Sequence, residues 1–239
     1  MKSQATLITT RREKQRQATI DEIKTTARAQ MDRQGAAALS LGKIARGMGM
    51  TTPALYRYFG SRDDLVTELI VDAYESLGDA VETAVIDLHP DEYDGRFRAL
   101  LKAYRAWAVA HPEEFALCFG APLAGYDAPV QRIMPGAIRS LRQIASLLQE
   151  AQTAGCLTMP AAYENPPHGL SSALAEMQSA LPDTAVTVPI LTLTVTTWLH
   201  AHALVWQELH GHLPAEMLGA GALYAMEVDV MAQRLGLNQ

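Results

Sequence analysis

The stretch Leu41 to Arg62, LGKIARGMGMTTPALYRYFGSR, constrains this chain more than any other. Ser40 can cap a short helix whose inner face is Leu41, Ile44, Ala45 and Met48. Gly47 and Gly49 then free the backbone to turn. Thr51 can cap the next helix, with Pro53 in its first turn, where a missing N–H costs nothing. This second helix is predicted to run about two turns and to bury Leu55 and Phe59, four residues apart. Thr52, Pro53, Tyr56, Arg57 and Tyr58 are left facing outward. Two short helices at a tight glycine-bearing turn, the second exposing Arg and Tyr, present a recognition helix to the DNA major groove. The bland alternative is a helical hairpin with incidental tyrosines. It leaves unexplained why basic charge collects here.

Charge makes an independent case. The whole chain is acidic, at −6, which alone argues against a nucleic-acid partner. Residues 1–64 nevertheless carry twelve Lys/Arg against six acids, for +6. Residues 65–239 carry the other eight basic residues against twenty acids, for −12. A small basic module joined to a large acidic body attracts phosphates at one end and repels them at the other. That is the electrostatic footprint of a regulator.

A chain of 239 residues with 49% hydrophobic content is expected to bury a sizeable core as a soluble globular protein. No uninterrupted apolar run reaches the roughly 18 residues of a membrane span, so none is expected. The segment MKSQATLITTRREKQRQ lacks the apolar core of a signal peptide, which makes the cytoplasm the expected compartment. Only Cys118 and Cys156 occur, so reduced thiols are expected rather than a disulfide framework; a redox-sensing pair is the minor alternative.

The pattern reads as helical throughout, an all-α chain. The first helix spans about 10 to 33, with Ile20, Ile23, Ala27 and Met31 on one face. Ser61 and Asp64 form a capping-box-like start for a long helix with Leu65, Leu69, Ala73, Leu77, Ala80 and Ala84 inward, continuing to about Ile86. Further helices are predicted over Arg96–Ala110 and Ala137–Ala154. One short helix and an irregular connection are expected within Glu113–Pro135, and a surface loop over Met159–Gly169. A short helix follows near Ser171–Ala180, then two long ones at about 185–210 and 215–235. Thr184–Thr197 is rich in Val, Ile and Thr and favours strand by propensity. The 3.6-residue period from Val188 to Leu209 overrides that and predicts helix. The domain division expected is 1–62, with 1–9 a flexible arm, and 63–239.

The run TTPALYRYFGSRDDLV, following a correctly spaced helix and turn, resembles the DNA-binding domain of TetR-like bacterial repressors, from about residue 10 to 80. The body strings AYRAWAVAHPEEFALCFGAPLAGYDAP and WLHAHALVWQELHGHL resemble the C-terminal regulatory domain called WHG in some of these proteins. Trp198 and His202 match its Trp and His, Ala203 stands where its Gly is expected, and Glu208, Gly211, His212 and Leu213 match the end of the motif. The resemblance implies an N-terminal three-helix helix-turn-helix domain and a larger helical domain for effector binding and dimerisation. It further implies a homodimeric repressor on a palindromic operator, released by a small organic effector through movement of the helix beginning at Asp63. By the family pattern Thr52, Pro53, Ala54 and Arg57 face base edges. Arg57 can reach guanine O6/N7, and Pro53 can press on a thymine methyl. Thr51, Tyr56 and Tyr58 hydrogen-bond phosphates, while Lys43 and Arg62 pair with phosphates on the flanks. For Tyr58, packing against the first helix competes. Lys2, Arg11 and Arg12 are assigned to an arm trailing across the duplex.

Candidate effector-pocket residues are Tyr104, Trp107, Phe115, Cys118, Phe119, Tyr126, Trp198, His202 and Trp206, since apolar pockets with a few polar groups suit small ligands. For each, plain core or interface packing is the alternative. His200, His202, His210 and His212 invite a metal, but i and i+2 on a helix point apart, and cysteine or carboxylate partners at ligand spacing are missing. No cofactor is expected. The motifs of an enzyme (nucleophile with a placed base, Gly-rich phosphate loop, paired acids) do not occur. The competing reading is a DNA-binding regulator without a small-molecule input, controlled by a protein partner or constitutive.

Overall fold

The computed structural model describes residues 11–180, 186–211, 214–218 and 221–237. The arm expected at 1–9, with Lys2, and the motif residues His212 and Leu213 lie outside these. The described residues up to Asp72, with Glu113–Pro129, form one compact unit; Ala73–Pro112, with those from Val130 onward, form a second. Among the described residues every regular element is helical.

In the first unit, α1 (Arg11–Gln34) buries Ile23, Ala27 and Met31 completely, at the i, i+4, i+8 spacing of a single helix face. A 3-10 turn at Ala36–Ala38 leads to α2 (Leu41–Gly47). Leu41, Ile44 and Ala45 of α2 are buried as its pattern requires, whereas Met48 is half-exposed. Ser40 precedes α2 but makes no side-chain cap, contrary to expectation. The turn itself is made by Gly49, whose φ of 65° lies in the left-handed region that a side chain disfavours. It leads to α3 (Thr52–Leu55), capped by Thr51, whose hydroxyl oxygen accepts from the Ala54 amide at 3.3 Å. α3 is one turn rather than two. Beyond it the Arg57 and Tyr58 amides bond three residues back, to Ala54 and Leu55, a tightened helix end. Leu55 and Phe59 are buried.

Next, α4 (Arg62–Thr83) starts where Ser61 predicts: the Asp64 amide donates to the Ser61 hydroxyl at 3.0 Å. It ends at Thr83 rather than Ile86, which is 74% exposed on a following turn. The two units divide inside α4, between Asp72 and Ala73, not at its start. α6 (Pro112–Phe119) brings a fully buried Phe115 into the first unit. Lys24 on α1 donates to Asp72 at 2.8 Å and to Glu68 at 3.3 Å. Arg28 bridges Asp72 at 2.8 Å and Glu114 at 2.7 Å. These pairs tie α1 to both α4 and α6.

In the second unit, α5 (Tyr93–Ala110) buries Phe97, Leu100, Leu101, Tyr104, Trp107 and Ala108. The turn predicted irregular includes α7 (Val130–Ala137), a helix that tolerates Pro135 and runs almost directly into α8 (Arg139–Thr153). α9 (Ala161–Glu164) is a single turn within the expected loop, and α10 (His168–Ala180) follows. α11 (Val188–His210) is helical over its Val/Ile/Thr-rich start. Three threonine hydroxyls make that conformation comfortable by donating one turn back: Thr192 to Val188 at 2.9 Å, Thr194 to Ile190 at 2.8 Å and Thr196 to Thr192 at 2.9 Å. By length and composition α11 could cross a bilayer, but Ile190, Leu191, Leu193, Ala201 and Val205 are buried in the unit's own core. Over the final predicted helix the described residues form α12 (Ala215–Leu218) and α13 (Ala222–Arg234), with Gly221 at the N-terminal cap of α13.

Candidate nucleic-acid interface

Burial of Leu55 and Phe59 fixes which way the recognition turn faces. With those two inward, Thr51, Pro53, Tyr56 and Arg57 are exposed and Thr52, Ala54 and Tyr58 partly so. Tyr56 is the largest of these to stand in solvent, at 51%. The Thr51 hydroxyl uses a lone pair for its cap and keeps its proton for an outside acceptor. All seven residues expected at this face therefore share one short surface.

A concave groove of about 930 Å³ adjoins that surface, lined by Arg11, Arg12, Gln15, Arg16, Arg57 and Tyr58. Four guanidinium groups with no carboxylate among the lining residues make a strongly positive wall. Arg11 and Arg12 belong to the first turn of α1 and not to a trailing arm. Arg16 and Gln15 escaped sequence reasoning, although the i, i+4 spacing of Arg12 and Arg16 was the signal that they share a helix face. The Arg16 guanidinium lies 5.3 Å from the centre of the Tyr58 ring. Tyr58 thus packs against α1 through a cation–π contact while still lining the groove.

The two flanking cations differ. Lys43 is exposed, with Nζ 3.0 Å from the Gln34 side-chain oxygen, a contact easily exchanged for a phosphate. Arg62 points inward instead. Its Nε donates to the Leu39 carbonyl at 3.0 Å and a terminal nitrogen to the Ala36 carbonyl at 3.2 Å. Arg62 therefore fastens the 3-10 turn to the start of α4, adding a second donor to the Ala36 carbonyl, which already accepts from the Leu39 amide at 3.2 Å.

Of the nine candidate effector-pocket residues, four fall in the first unit and five in the second. Phe115, Cys118, Phe119 and Tyr126 belong to the first unit; Tyr104, Trp107, Trp198, His202 and Trp206 belong to the second. Phe115 and Phe119 pack ring to ring at 5.0 Å, and the Tyr126 hydroxyl shares a 2.9 Å hydrogen bond with Thr67. Burial pushes the Cys118 thiol well above its ordinary range, with Glu114 adding to the effect, which favours the protonated thiol over the nucleophilic thiolate. In the second unit the Trp107 indole donates to the Ser76 hydroxyl at 3.0 Å. The Tyr104 hydroxyl lies 2.7 Å from His202 Nδ1, and Trp198 stacks on the His202 ring at 4.8 Å. Burial, with a smaller push from His210, lowers the His202 pKa and keeps the ring neutral. Two cavities of the second unit are lined by other residues altogether. Among the described residues no three His, Cys, Asp or Glu side chains gather as a metal site.

Comparison with known proteins places this geometry. Residues 23–69 match the family described as bacterial regulatory proteins, tetR family, and residues 97–234 match the tetracyclin repressor-like C-terminal domain. The chain is 46% identical over 112 residues to the HTH-type transcriptional regulator Rv1816 of Mycobacterium tuberculosis, and equally to Mb1846 of Mycobacterium bovis. That alignment covers 47% of this chain and 48% of each relative, so the chain spans about half the length of the curated relatives it matches. The crystal structure of SCO4313 is 32% identical over 94% of this chain and 98% of its own, with a TM-score of 0.71. A tetR-family regulatory protein from Rhodococcus RHA1 shares the fold at a TM-score of 0.61 and 14% identity, covering 91% of this chain and 96% of its own. The chain belongs to the TetR family of helix-turn-helix transcriptional regulators.

Proposed function

We propose that this chain is a homodimeric repressor that binds a palindromic operator and is released by a small organic effector, working in the cytoplasm beside the chromosome. The observation that carries the reading is the arginine-lined groove beside the exposed recognition turn. Arg57, with Thr52, Pro53 and Ala54, reads base edges; Thr51, Tyr56, Tyr58 and Lys43 hold phosphates, joined by Arg11, Arg12 and Arg16. One such turn spans only a few base pairs, so two copies on a two-fold axis supply the rest of the specificity. Leu199 on α11 and Met226 on α13, about half-exposed, leave apolar surface for a four-helix dimer contact. Effector in the second unit acts through α4, which continues from that unit into the DNA-binding one. A near-complete switch needs the effector to favour the DNA-incompetent state by about 5 kcal/mol.

Selection of bound duplexes from random oligonucleotides, repeated across salt concentrations, tests this. A palindromic consensus and a steep salt slope are expected. Binding with no sequence preference would overturn the reading.

A further inference from the structure

The cavity of the second unit at the meeting of α9, α11 and α13 carries a chemistry that the DNA-binding surface does not use. It measures about 290 Å³ and is walled by Pro160, Leu193, Met231 and Leu235 on its apolar side. Five polar residues line the same space: Tyr163, Thr196, Thr197, His200 and Arg234. The loop leading to α9 is held in place by the Thr158 amide, which donates to the Leu235 carbonyl at 2.8 Å. Tyr163 of α9 and Arg234 at the end of α13 both line this cavity.

The polar groups are conspicuous for what they lack. Thr192, Thr194 and Thr196 each spend a hydroxyl on the helix backbone, whereas among the described residues Thr197, buried at 5%, makes no such bond. The Tyr163 hydroxyl and the Arg234 guanidinium likewise have no hydrogen-bond or ion-pair partner among the described residues. Most other arginines of this unit are claimed: Arg96 by Glu150, Arg98 by Asp94, Arg105 by Glu208 and Arg139 by Glu82. Among the described residues no carboxylate lines the cavity. Glu227 lies outside the lining and is paired with His200 at 3.3 Å. Donors without acceptors, a lone cation and an apolar wall together select an anion with an apolar body.

We propose that this cavity binds a small monocarboxylate, its carboxylate on Arg234 and the Tyr163 hydroxyl and its apolar body against Leu193, Met231 and Leu235. Thr197 supplies a further hydroxyl donor. The inference rests on the reading of this unit as an effector-binding domain and names the effector's chemical class.

Calorimetric titration of the full-length chain with octanoate at neutral pH, beside octanol and octylamine, tests the site. Octanoate is expected to bind best, and Arg234→Gln to weaken it roughly tenfold to a hundredfold. Arg234→Lys should recover part of the loss, and Tyr163→Phe, which keeps the ring, should weaken binding several-fold should Arg234→Gln melt early. No heat with octanoate, or equal affinity for the three probes, overturns the proposal. So does unchanged affinity in Arg234→Gln and Tyr163→Phe. Operator release, followed by fluorescence anisotropy, separates the two ideas. Octanoate that binds through Arg234 without releasing DNA upholds the site and sinks the effector reading. Release by some other compound, with no octanoate binding, does the reverse.

Discussion

The two units treat their arginines in opposite ways. In the second, Arg96, Arg98, Arg105 and Arg139 each meet a carboxylate, and Arg139 alone gathers Glu75, Asp79 and Glu82 from successive turns of α4. In the first, Lys24, Arg28 and Arg62 are consumed internally, while Arg11, Arg12, Arg16 and Arg57 line one open groove without carboxylate partners among the described residues. The difference teaches that net charge is a poor guide to a polyanion partner. What counts is which cations the fold leaves unneutralised, and on which side.

The comparison breaks most readily at Arg57 and Arg62, two arginines of the same stretch with opposite employment. Arg57→Ala should weaken specific operator binding by about 1–3 kcal/mol and relax discrimination at one position, with little change in melting temperature. Arg62→Ala should instead lower the melting temperature, since charge-assisted bonds of this kind contribute about 1.5–3 kcal/mol, and leave the salt slope of binding unchanged. A paired set of melts and anisotropy titrations decides both. A salt slope that falls by about one in Arg62→Ala would return that residue to the phosphate contacts.

A smaller effect is expected in the second unit. Gly78 lies under Arg139, and a Cβ there would come within 2.8 Å of the guanidinium. Gly78→Ala should therefore push the flexible end of Arg139 off its three carboxylates. That loss is set against the roughly 1 kcal/mol by which a helix favours Ala over Gly, so a net change within about 1 kcal/mol is expected in chemical denaturation. Arg139→Met combined with it should relieve the clash. Non-additivity in that double-mutant cycle is the expected signature; strict additivity would show that the contact carries no energy.

The smallest effect is on pH. His202 is held neutral in the fold by burial and by His210, so its folded pKa lies below the ordinary value of about 6.5. On acidification the unfolded chain takes up this proton first. The contribution is fully present above the ordinary value and is lost as pH falls toward the lowered one. Melting temperatures in neutral and mildly acidic buffer should diverge more for the wild type than for His202→Gln. Equal divergence would remove His202 from the account.

Much of this was legible in the sequence, for reasons that vary from place to place. The inward faces of α1, α2 and α4 followed from apolar spacing, and the turn from Thr51 and Gly49, because these signals are local. The threonine-rich start of α11 was read correctly because periodicity outweighs propensity over a long segment. Pro135 misled, since a proline read as a break sits inside α7. The effector candidates were less legible, because which cavity a ring lines depends on tertiary packing; the cavity of the second unit at α9, α11 and α13 is lined by none of them. Arg234 carried no motif at all. Its isolation emerges only when Arg96, Arg98, Arg105 and Arg139 are seen to be paired with carboxylates.

The threonine back-bonds of α11 also bear on how the protein dies. Ile190–Thr197 is an eight-residue run with alternating branched and hydroxyl side chains, without charge and without proline. While folded, its backbone and the hydroxyls of Thr192, Thr194 and Thr196 are engaged in the helix. Once melting releases it, the same residues match the composition that stacks between copies as cross-β aggregate. Heating should accordingly end in turbidity rather than recovery, and a clear, reversible melt would speak against it.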